Sequence, residues 1–217
     1  MPYLINKDIK NLIKKNSIRI SSSFNINQIQ PASLDLSLSS KCYRIKASFI
    51  PNKQAIPKII NELSLVQIDL NKEYLFEKNC IYLCELNESL NLPKKIKGKA
   101  NPKSTTGRLD IFTRLITEYG TEYDEIDYNY SGKLYLEIIP QSFSIKLKKN
   151  ICLNQLRFFE GLDENIQKKL KISVSIQKGK VSAYRAKKIT SSINLNKINY
   201  YLKEKYWEEI IPKSDSF

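Results

Sequence analysis

Residues 31–39 read PASLDLSLS, the stretch that decides the fold class of this chain. Leu34, Leu36 and Leu38 alternate with polar residues, which is the period of a strand with one buried face. Strand-like apolar runs then recur along the chain, separated at short intervals by Gly, Pro and Asn: KCYRIKASFI, LVQIDL, EYLFEKNCIYLCEL, KLYLEII, FSIKLKK and ICLNQLRFF. Many short strands with few helices predict a mainly β protein, built as a sandwich or a barrel.

Two segments have apolar residues at helical spacing, and we predict a short helix over residues 7–15 and a helix or turn over residues 161–171. One more strand candidate lies within residues 171–188. The final segment, residues 199–217, is aromatic and charged and includes Trp207. We interpret it as a linker, or as a segment that packs against something outside this chain.

The composition predicts a soluble protein with a core of its own. With 217 residues, 41% of them hydrophobic, the chain can bury a sizeable core. No apolar run approaches the ~18 residues of a membrane span, and the N-terminus lacks the apolar region of a signal peptide. We therefore expect a cytoplasmic protein without a membrane partner.

The formal net charge of +14 has two interpretations. It could attract a polyanion such as nucleic acid, an anionic membrane surface or nucleotide phosphates. It could also reflect coding bias, since 30 of the 36 basic residues are lysines spread along the chain. Nucleic-acid surfaces favour arginine for its bidentate fork, so we do not expect nucleic acid to be the partner.

The absence of histidine excludes several kinds of active site. Ser-His-Asp and Cys-His catalysis both need an imidazole, as does the His/Cys/Cys site of the zinc deaminases, whose PCxxC motif is also missing. The four cysteines show no CxxC spacing, and Cys80 and Cys84 would share one face of a strand. We expect buried free thiols and no metal site. Catalysis must use carboxylates, Lys or Arg, hydroxyls, tyrosines or a metal brought by the substrate.

Residues 101–110, NPKSTTGRLD, gather charged and hydroxyl side chains in a chain that has only six glycines and six arginines. Pro102 disfavours helix before it and Gly107 permits positive φ, so we predict a turn that opens into a helix or strand. Amides and hydroxyls flanked by Lys103 and Arg108 would suit a phosphate chain. The order GxxxxGK[ST] of a P-loop is absent, and a polar turn with incidental charges is the alternative.

Residues 126–140, IDYNYSGKLYLEIIP, predict a turn that leads into a strand. Leu134, Leu136 and Ile138 lie on one face, and Tyr135 and Glu137 lie on the other. Glu137 is either a surface carboxylate, the more common case, or one held in a pocket, where partial burial lets a carboxyl group exchange protons near neutral pH.

Taken together and in order, the segments ASLDLSLS, KGKANPKSTTGRLD, IDYNYSG, LYLEI and NQLRFFE resemble motifs of the dCTP deaminase and dUTPase superfamily. The strand LYLEI, which carries a glutamate and follows the Asp-bearing turn IDYNYSG, resembles the corresponding strand of the deaminase branch. The NPKSTTGRLD variant resembles the N-terminal half of the long two-domain form of alphaproteobacteria. The resemblance implies a dUTPase-like distorted β-barrel, or β-clip, over residues 1–160, and an extension over residues 161–217 toward a second domain that we expect to be missing.

The resemblance also implies a reaction: deamination of dCTP to dUTP and ammonia without protein-bound zinc. Glu137 falls on the glutamate that activates water and then passes protons onward. Arg108 falls on an arginine expected to hold that glutamate and the water, and Ser104 on a serine that helps position water and phosphate.

Substrate-binding positions follow in the same way. The resemblance places these residues against the nucleotide: Lys103, Thr105, Asp127, Gln155 and Tyr184. Of these, Asp127 would lie beside the nucleoside, and Gln155 would contact the phosphates of a nucleotide bound at a neighbouring subunit. Mg²⁺ would arrive bound to the phosphates, and the protein would hold no metal of its own.

Partners and alternatives also come from the resemblance. It implies a homo-oligomer like the family's trimers, with dCTP as ligand and dTTP as a candidate inhibitor. A dUTP diphosphatase is one alternative function. Another is a nucleotide-binding half, or remnant, of a two-domain deaminase with impaired catalysis. Lys103 replaces an Arg, and Tyr128-Asn129 replaces the Pro-Gly of single-domain members. The resemblance therefore does not define the part of the site that binds the base.

Overall fold

The structure, a computed structural model, describes residues 3–21, 24–161 and 178–213. Its helices are short, and most of its elements are strands. In chain order they are α1 (Asn6–Lys14), β1 (Ile18–Ile20), β2 (Leu34–Ile45), α2 (Ile56–Leu63), β3 (Ser64–Asp69), β4 (Tyr74–Phe76), β5 (Ile81–Asn91), β6 (Ile96–Pro102), α3 (Ser104–Arg108), β7 (Ile111–Thr117), β8 (Glu125–Ile126), β9 (Ser131–Pro140), β10 (Ile145–Leu147), β11 (Cys152–Glu160), β12 (Ala183–Ala186), β13 (Ile193–Asn194), α4 (Lys203–Tyr206) and β14 (Trp207–Ile210).

A large sheet dominates the fold, with the strand order β7-β9-β5-β2-β11-β6-β8. β1 pairs with β5 and β3 pairs with β2 beside this path. β6 and β7, which lie near opposite ends of the path, also contact each other. The sheet is therefore nearly closed, which confirms the prediction of a mainly β, barrel-like protein with few helices.

The core lies inside this sheet because alternate residues of the strands turn their apolar side chains inward. Leu34, Leu36 and Leu38 of β2 and Leu134 and Leu136 of β9 are completely buried in the main cluster. Helix α1 covers one side of that cluster through Ile9 and Leu12, as the spacing of residues 7–15 predicts. A second apolar cluster on the other face of β9 includes Leu83, Ile116 and Tyr135.

The prediction that β2 has one buried and one exposed face is wrong, because its polar residues are buried as well. Asp35 forms an ion pair with Lys103. Ser37 donates its amide and its hydroxyl to the carboxylate of Glu88, at 3.0 and 2.8 Å. These polar partners satisfy the second face, so alternation of Leu with Asp and Ser did not mark a solvent surface.

Glu88 is a buried carboxyl whose described hydrogen-bond donors are all neutral. Besides Ser37, the side-chain amide of Gln28 donates to it at 2.9 Å. Burial raises the pKa of Glu88, and its hydrogen bonds with Ser37 and Gln28 only partly offset the effect. Keeping Glu88 ionised therefore costs the folded state some of its stability.

We expect this cost to appear as pH dependence of the free energy of unfolding. A raised pKa in the folded state means that the stability contributed by Glu88 is complete below its unfolded pKa and is lost as pH rises through the folded one, by at most about 1.4 kcal/mol per pH unit. The Glu88→Gln variant should lose that slope. Urea unfolding at several pH values, compared with the exposed control Glu62→Gln, measures the difference, and parallel curves for Glu88→Gln and wild type would contradict it.

The described part of the tail contacts the barrel. β13 pairs in parallel with β10, and β12 pairs with β14. Tyr206 and Trp207 pack edge-on against Phe143. These contacts differ from the expectation of a linker with few partners, because the aromatic residues of the tail cover an apolar spot on the first 160 residues. The helix predicted over residues 161–171 falls almost wholly outside the described residues, and the division at residue 160 stays a prediction.

The cysteines are free thiols, as predicted, although only Cys42 and Cys84 are fully buried. These two face each other across β2 and β5 with their Sγ atoms 3.0 Å apart. Cys80 precedes β5 and lies beside the guanidinium of Arg44. Across residues 3–21, 24–161 and 178–213, none of the helices has the length and apolar character that a membrane span requires.

Candidate functional site

The NPKSTTGRLD stretch forms the corner between β6 and β7, and helix α3 begins directly after Lys103. The Lys103 amide and the Thr106 hydroxyl both donate to the carbonyl oxygen of Leu153, at 3.0 and 2.8 Å, which fixes α3 against β11. The predicted turn into a helix is confirmed. The left-handed residue is Asp110, with φ 55°, whereas Gly107 lies within the helix.

Four of the residues predicted to bind substrate or to act in catalysis line one cavity of about 850 Å³: Lys103, Thr105, Arg108 and Tyr184. The tail supplies much of the remaining wall, including Lys197, Lys203, Tyr201 and Trp207. Its described lining contains lysine, arginine and aromatic residues but no Asp or Glu. Such a lining fits an anionic ligand with a ring or a sugar attached.

Two of the cavity's basic residues are held in place. The Lys103 ammonium forms its ion pair with the buried carboxylate of Asp35, in the SLDL stretch. Lys203 donates to the Tyr184 hydroxyl at 2.9 Å and lies 4.2 Å from the centre of that ring. Both contacts orient positive charge within the cavity wall.

Glu137 lies in the middle of β9 on the face opposite the main core, and it is 0% exposed. Its Oε1 atom accepts two hydrogen bonds from Arg114 of the neighbouring strand β7, from Nε at 2.8 Å and from Nη2 at 2.5 Å. Its Oε2 atom is buried and has no donor among the described residues. The interpretation of Glu137 as a surface carboxylate is wrong, because its side chain is buried against Arg114, as the alternative of an enclosed carboxylate requires.

Two aromatic rings enclose the guanidinium of Arg114. Its Cζ lies 3.9 Å from the ring centre of Tyr123 and 5.0 Å from that of Phe112. Burial raises the pKa of Tyr123, while the nearby Arg114 lowers it and Glu137 raises it. The result is a carboxylate, a guanidinium and a neutral phenol packed together beneath an exposed Phe112 ring.

The single chain does not bring all predicted site residues together. Glu137 contacts Arg114, and Arg108 belongs to the cavity wall before β7 begins. Ser104 is exposed at the start of α3, and Asp127 is exposed in the turn after β8, where its carbonyl accepts the Tyr130 amide at 3.3 Å. Gln155 is half-buried and accepts a hydrogen bond from Ser33 at 3.2 Å.

Three residues of these clusters are not predicted from the sequence: Arg114, Tyr123 and Asp35. A signal existed for Arg114, since one of only six arginines interrupts the β-branched run IFTRLIT at a position that shares a face with Phe112. Asp35 lies in the SLDL motif, where alternation with leucine predicts a solvent-facing residue. Nothing in the local sequence marks Tyr123.

Comparison of the sequence with family models identifies two matching regions. The 2'-deoxycytidine 5'-triphosphate deaminase N-terminal domain matches residues 3–162, and the C-terminal domain of the same deaminase matches residues 145–217. The chain is also similar to two curated proteins called dCTP deaminase, dUMP-forming. The one from Nanoarchaeum equitans is 29% identical over 172 residues, which cover 72% of this chain and 83% of that protein. The one from Methanosphaera stadtmanae is 29% identical over 143 residues, which cover 64% and 68%.

A solved structure gives the same indication. The 2'-deoxycytidine 5'-triphosphate deaminase from Agrobacterium tumefaciens superposes with a TM-score of 0.88 at 33% sequence identity. The match covers 98% of this chain and 69% of that protein.

Proposed function

The chain belongs to the dCTP deaminase family, and from this premise we propose that it replaces the amino group at carbon 4 of cytosine by water, without protein-bound zinc. The observation that carries the proposal is the buried Glu137 carboxylate, with one oxygen held by Arg114 and the other left without a described donor. A positioned carboxylate with a vacant acceptor is the group that this chemistry needs.

Glu137 would perform both proton transfers. Its Oε2 atom takes a proton from water as the water oxygen attacks carbon 4, and it passes that proton to the ring nitrogen as the carbon–nitrogen double bond opens. The carboxylate then takes the proton of the new hydroxyl on carbon 4 and gives it to the amino group, which leaves as ammonia while the carbonyl forms. The catalytic base must return to its initial protonation state at the end of each cycle. A buried carboxylate paired with a cation can do so.

Zinc-independent chemistry is supported by the donor set. The chain has no histidine, and the described residues contain no group of three or more Cys, Asp or Glu side chains placed to hold a metal ion. Stabilisation of the charge that develops on the ring would come from oriented hydrogen-bond donors, each worth ~3 kcal/mol in such sites.

The triphosphate would occupy the cavity between α3 and the tail, with Mg²⁺ carried on its own phosphate oxygens. Lys103, Thr105 and Arg108 supply cationic and hydroxyl donors there, and Tyr184 supplies a ring. Because the described chain leaves this cavity and Glu137 in separate clusters, we propose that a homo-oligomer, trimer-like in its arrangement, joins the two clusters across subunits. Ser104, Asp127 and Gln155 would then approach the nucleotide from a neighbouring copy.

The deciding experiment follows ammonia and nucleotide products from purified protein with dCTP and Mg²⁺. Ammonia in equal amount to a uracil nucleotide would support the proposal. No ammonia, with saturable dCTP or dTTP binding, would favour a nucleotide-binding protein with impaired catalysis. Hydrolysis of dUTP without any action on dCTP would favour a dUTP diphosphatase.

A second candidate concerns the product, because both curated relatives are described as dUMP-forming. Those names favour a reaction that also removes diphosphate, whereas the motif resemblance implies release of dUTP. Ion-exchange separation of the nucleotides settles the choice: dUTP supports simple deamination, and dUMP with diphosphate in equal amount supports the combined reaction.

Removal of a cation from the cavity should weaken substrate binding. We expect Arg108→Met to raise the Kd for dCTP about 10- to 100-fold, because one hydrogen bond to a charged group contributes roughly 1.5–3 kcal/mol. Calorimetry in a Glu137→Gln background would measure this without consuming the substrate. The exposed Arg157→Met on β11 is the matched control. An unchanged Kd for Arg108→Met would place the phosphates elsewhere.

A further inference from the structure

The two oxygen atoms of Glu137 have different environments. Both donors of Arg114 reach the same atom, Oε1, at 2.8 and 2.5 Å. Oε2 is equally buried, yet no described residue donates to it. A guanidinium often donates one hydrogen bond to each oxygen of a carboxylate. Here both hydrogen bonds go to Oε1, so Oε2 remains available as an acceptor.

The position of Arg114 is fixed by more than the ion pair. Arg114 lies directly opposite Glu137 in the register of β7 and β9. Its side chain is 23% exposed, and the Tyr123 ring stacks on it at 3.9 Å. This contact between a guanidinium and an aromatic face is stabilising and restricts the guanidinium plane.

The loop that carries Tyr123 is itself tied to β7. The backbone amide of Asp124 donates to the carbonyl oxygen of Leu115 at 2.9 Å. In return, the Leu115 amide donates to Oδ1 of Asp124 at 2.7 Å. Since Leu115 follows Arg114 and Asp124 follows Tyr123, this reciprocal pair sets the ring over the guanidinium.

From this geometry we infer that Arg114 is the positioning residue of the deamination reaction: it anchors Oε1 and thereby reserves Oε2 for proton transfer. The inference rests on the proposed function. Arg108, which sequence resemblance assigned to hold Glu137, would then serve the substrate. Tyr123 acts indirectly, through Arg114. Its ring fixes the plane of the Arg114 guanidinium so that Nε and Nη2 both donate to Oε1.

Several titratable groups lie on the same face of the sheet as Glu137. Arg114 from β7 and Tyr123 from the following loop are beside it, and the residue opposite on β5 is the apolar Leu83. Further away on this face are Tyr135 of β9, Tyr43 of β2 opposite Leu83, and Glu85 of β5, which is paired with Lys133. Loss of the Arg114 charge removes the cation that favours the ionised carboxylate. The acidic limb of the pH profile of kcat should therefore move to higher pH.

The test compares Arg114→Gln, Arg114→Lys and Tyr123→Leu with the exposed control Arg157→Gln in the full chain. We expect Arg114→Gln to lower kcat about 10- to 100-fold with KM changed less than about threefold, since misplacement of a reacting group acts on the chemical step. The acidic limb should shift upward in Arg114→Gln. In Arg114→Lys, which keeps the charge but not the fork, kcat should fall with a smaller shift.

A second readout does not need turnover. The ¹³C NMR titration of the Glu137 carboxyl, assigned by its loss in Glu137→Gln, should move to higher pH in Arg114→Gln and should stay in place in Arg157→Gln. If Arg114→Gln fails to fold, Tyr123→Leu should give the same direction with a smaller effect. A purely structural role would lower the folded fraction and leave the limb and the titration unmoved.

The outcomes separate the two proposals. Wild-type turnover with an unmoved limb and an unmoved titration in folded Arg114→Gln would overturn the inference and leave the deaminase function standing. Absence of wild-type turnover would overturn the proposed function, while the carboxyl titration would still decide whether Arg114 controls Glu137.

Discussion

The Glu137→Gln variant should lose dCTP deamination almost completely, with kcat lowered by about 10²- to 10⁴-fold. The amide keeps the size of the carboxyl group but cannot accept a proton from water. Arg114 would still have an oxygen to bind, so folding and nucleotide binding should survive. Steady-state ammonia release measures the loss, and calorimetry with dCTP checks that the Kd changes by less than about threefold.

Glu85→Gln provides the matched control for this variant. Glu85 lies on the adjacent strand β5, on the same face of the sheet as Leu83, and forms an ion pair with Lys133 at 2.8 Å. Its kcat should stay within about threefold of wild type, since Glu85 already has its own cation and takes no part in the reaction. Equal losses in Glu137→Gln and Glu85→Gln would mean that charge on this face, rather than one carboxylate, supports activity. Full activity of Glu137→Gln would remove Glu137 from the mechanism.

The largest effect on stability should come from Leu36→Ala in β2. Leu36 is completely buried in the main core cluster, opposite Asn154 of β11. Truncation removes buried methyl groups and leaves a cavity in a nearly closed sheet that can collapse only partly. We expect the free energy of unfolding to fall by about 2–5 kcal/mol.

Urea unfolding followed by circular dichroism measures this loss. The same change at Leu65 of β3, which is 53% exposed, should cost less than about 0.5 kcal/mol. A Leu36→Ala variant as stable as Leu65→Ala would mean that β2 is not part of the core. A change in the slope of the unfolding curve would point to an altered unfolded state instead.

The sequence predicts the fold wherever apolar residues alternate. Strand β2 is predicted by Leu34, Leu36 and Leu38, and strand β9 by Leu134, Leu136 and Ile138. Apolar residues at every second position share one face only in a strand, so only a strand can bury them together. What alternation cannot reveal is the state of the second face. Asp35 and Ser37 are buried because Lys103 and Glu88 meet them from distant parts of the chain, and such partners carry no local signal.

The candidate site was predictable to a similar degree. Glu137 and Arg108 emerge from motif order, and the structure buries Glu137 beside Arg114 and places Arg108 in a cavity wall. The motif resemblance implies that Arg108 holds Glu137. In the structure Arg114 lies opposite Glu137, because the register between β7 and β9 determines which residues face each other across the sheet. Tyr123 reaches the site through a loop whose hydrogen bonds with Leu115 depend on that register.

The placement of β2 in the sheet also bears on how this chain folds. β2 pairs with β5 and β3 through its C-terminal half, but its first residues, 34–37, pair with β11. Ser33 and Gln155, whose side chains form a hydrogen bond there, are 122 residues apart. Closing so long a loop must precede the contacts that reward it, so a topology of this kind folds slowly, in milliseconds to seconds or longer. During synthesis at about 5–20 residues per second, the SLDL strand would wait several seconds with one edge unpaired. The formal net charge of +14 opposes aggregation of the open strand during that interval.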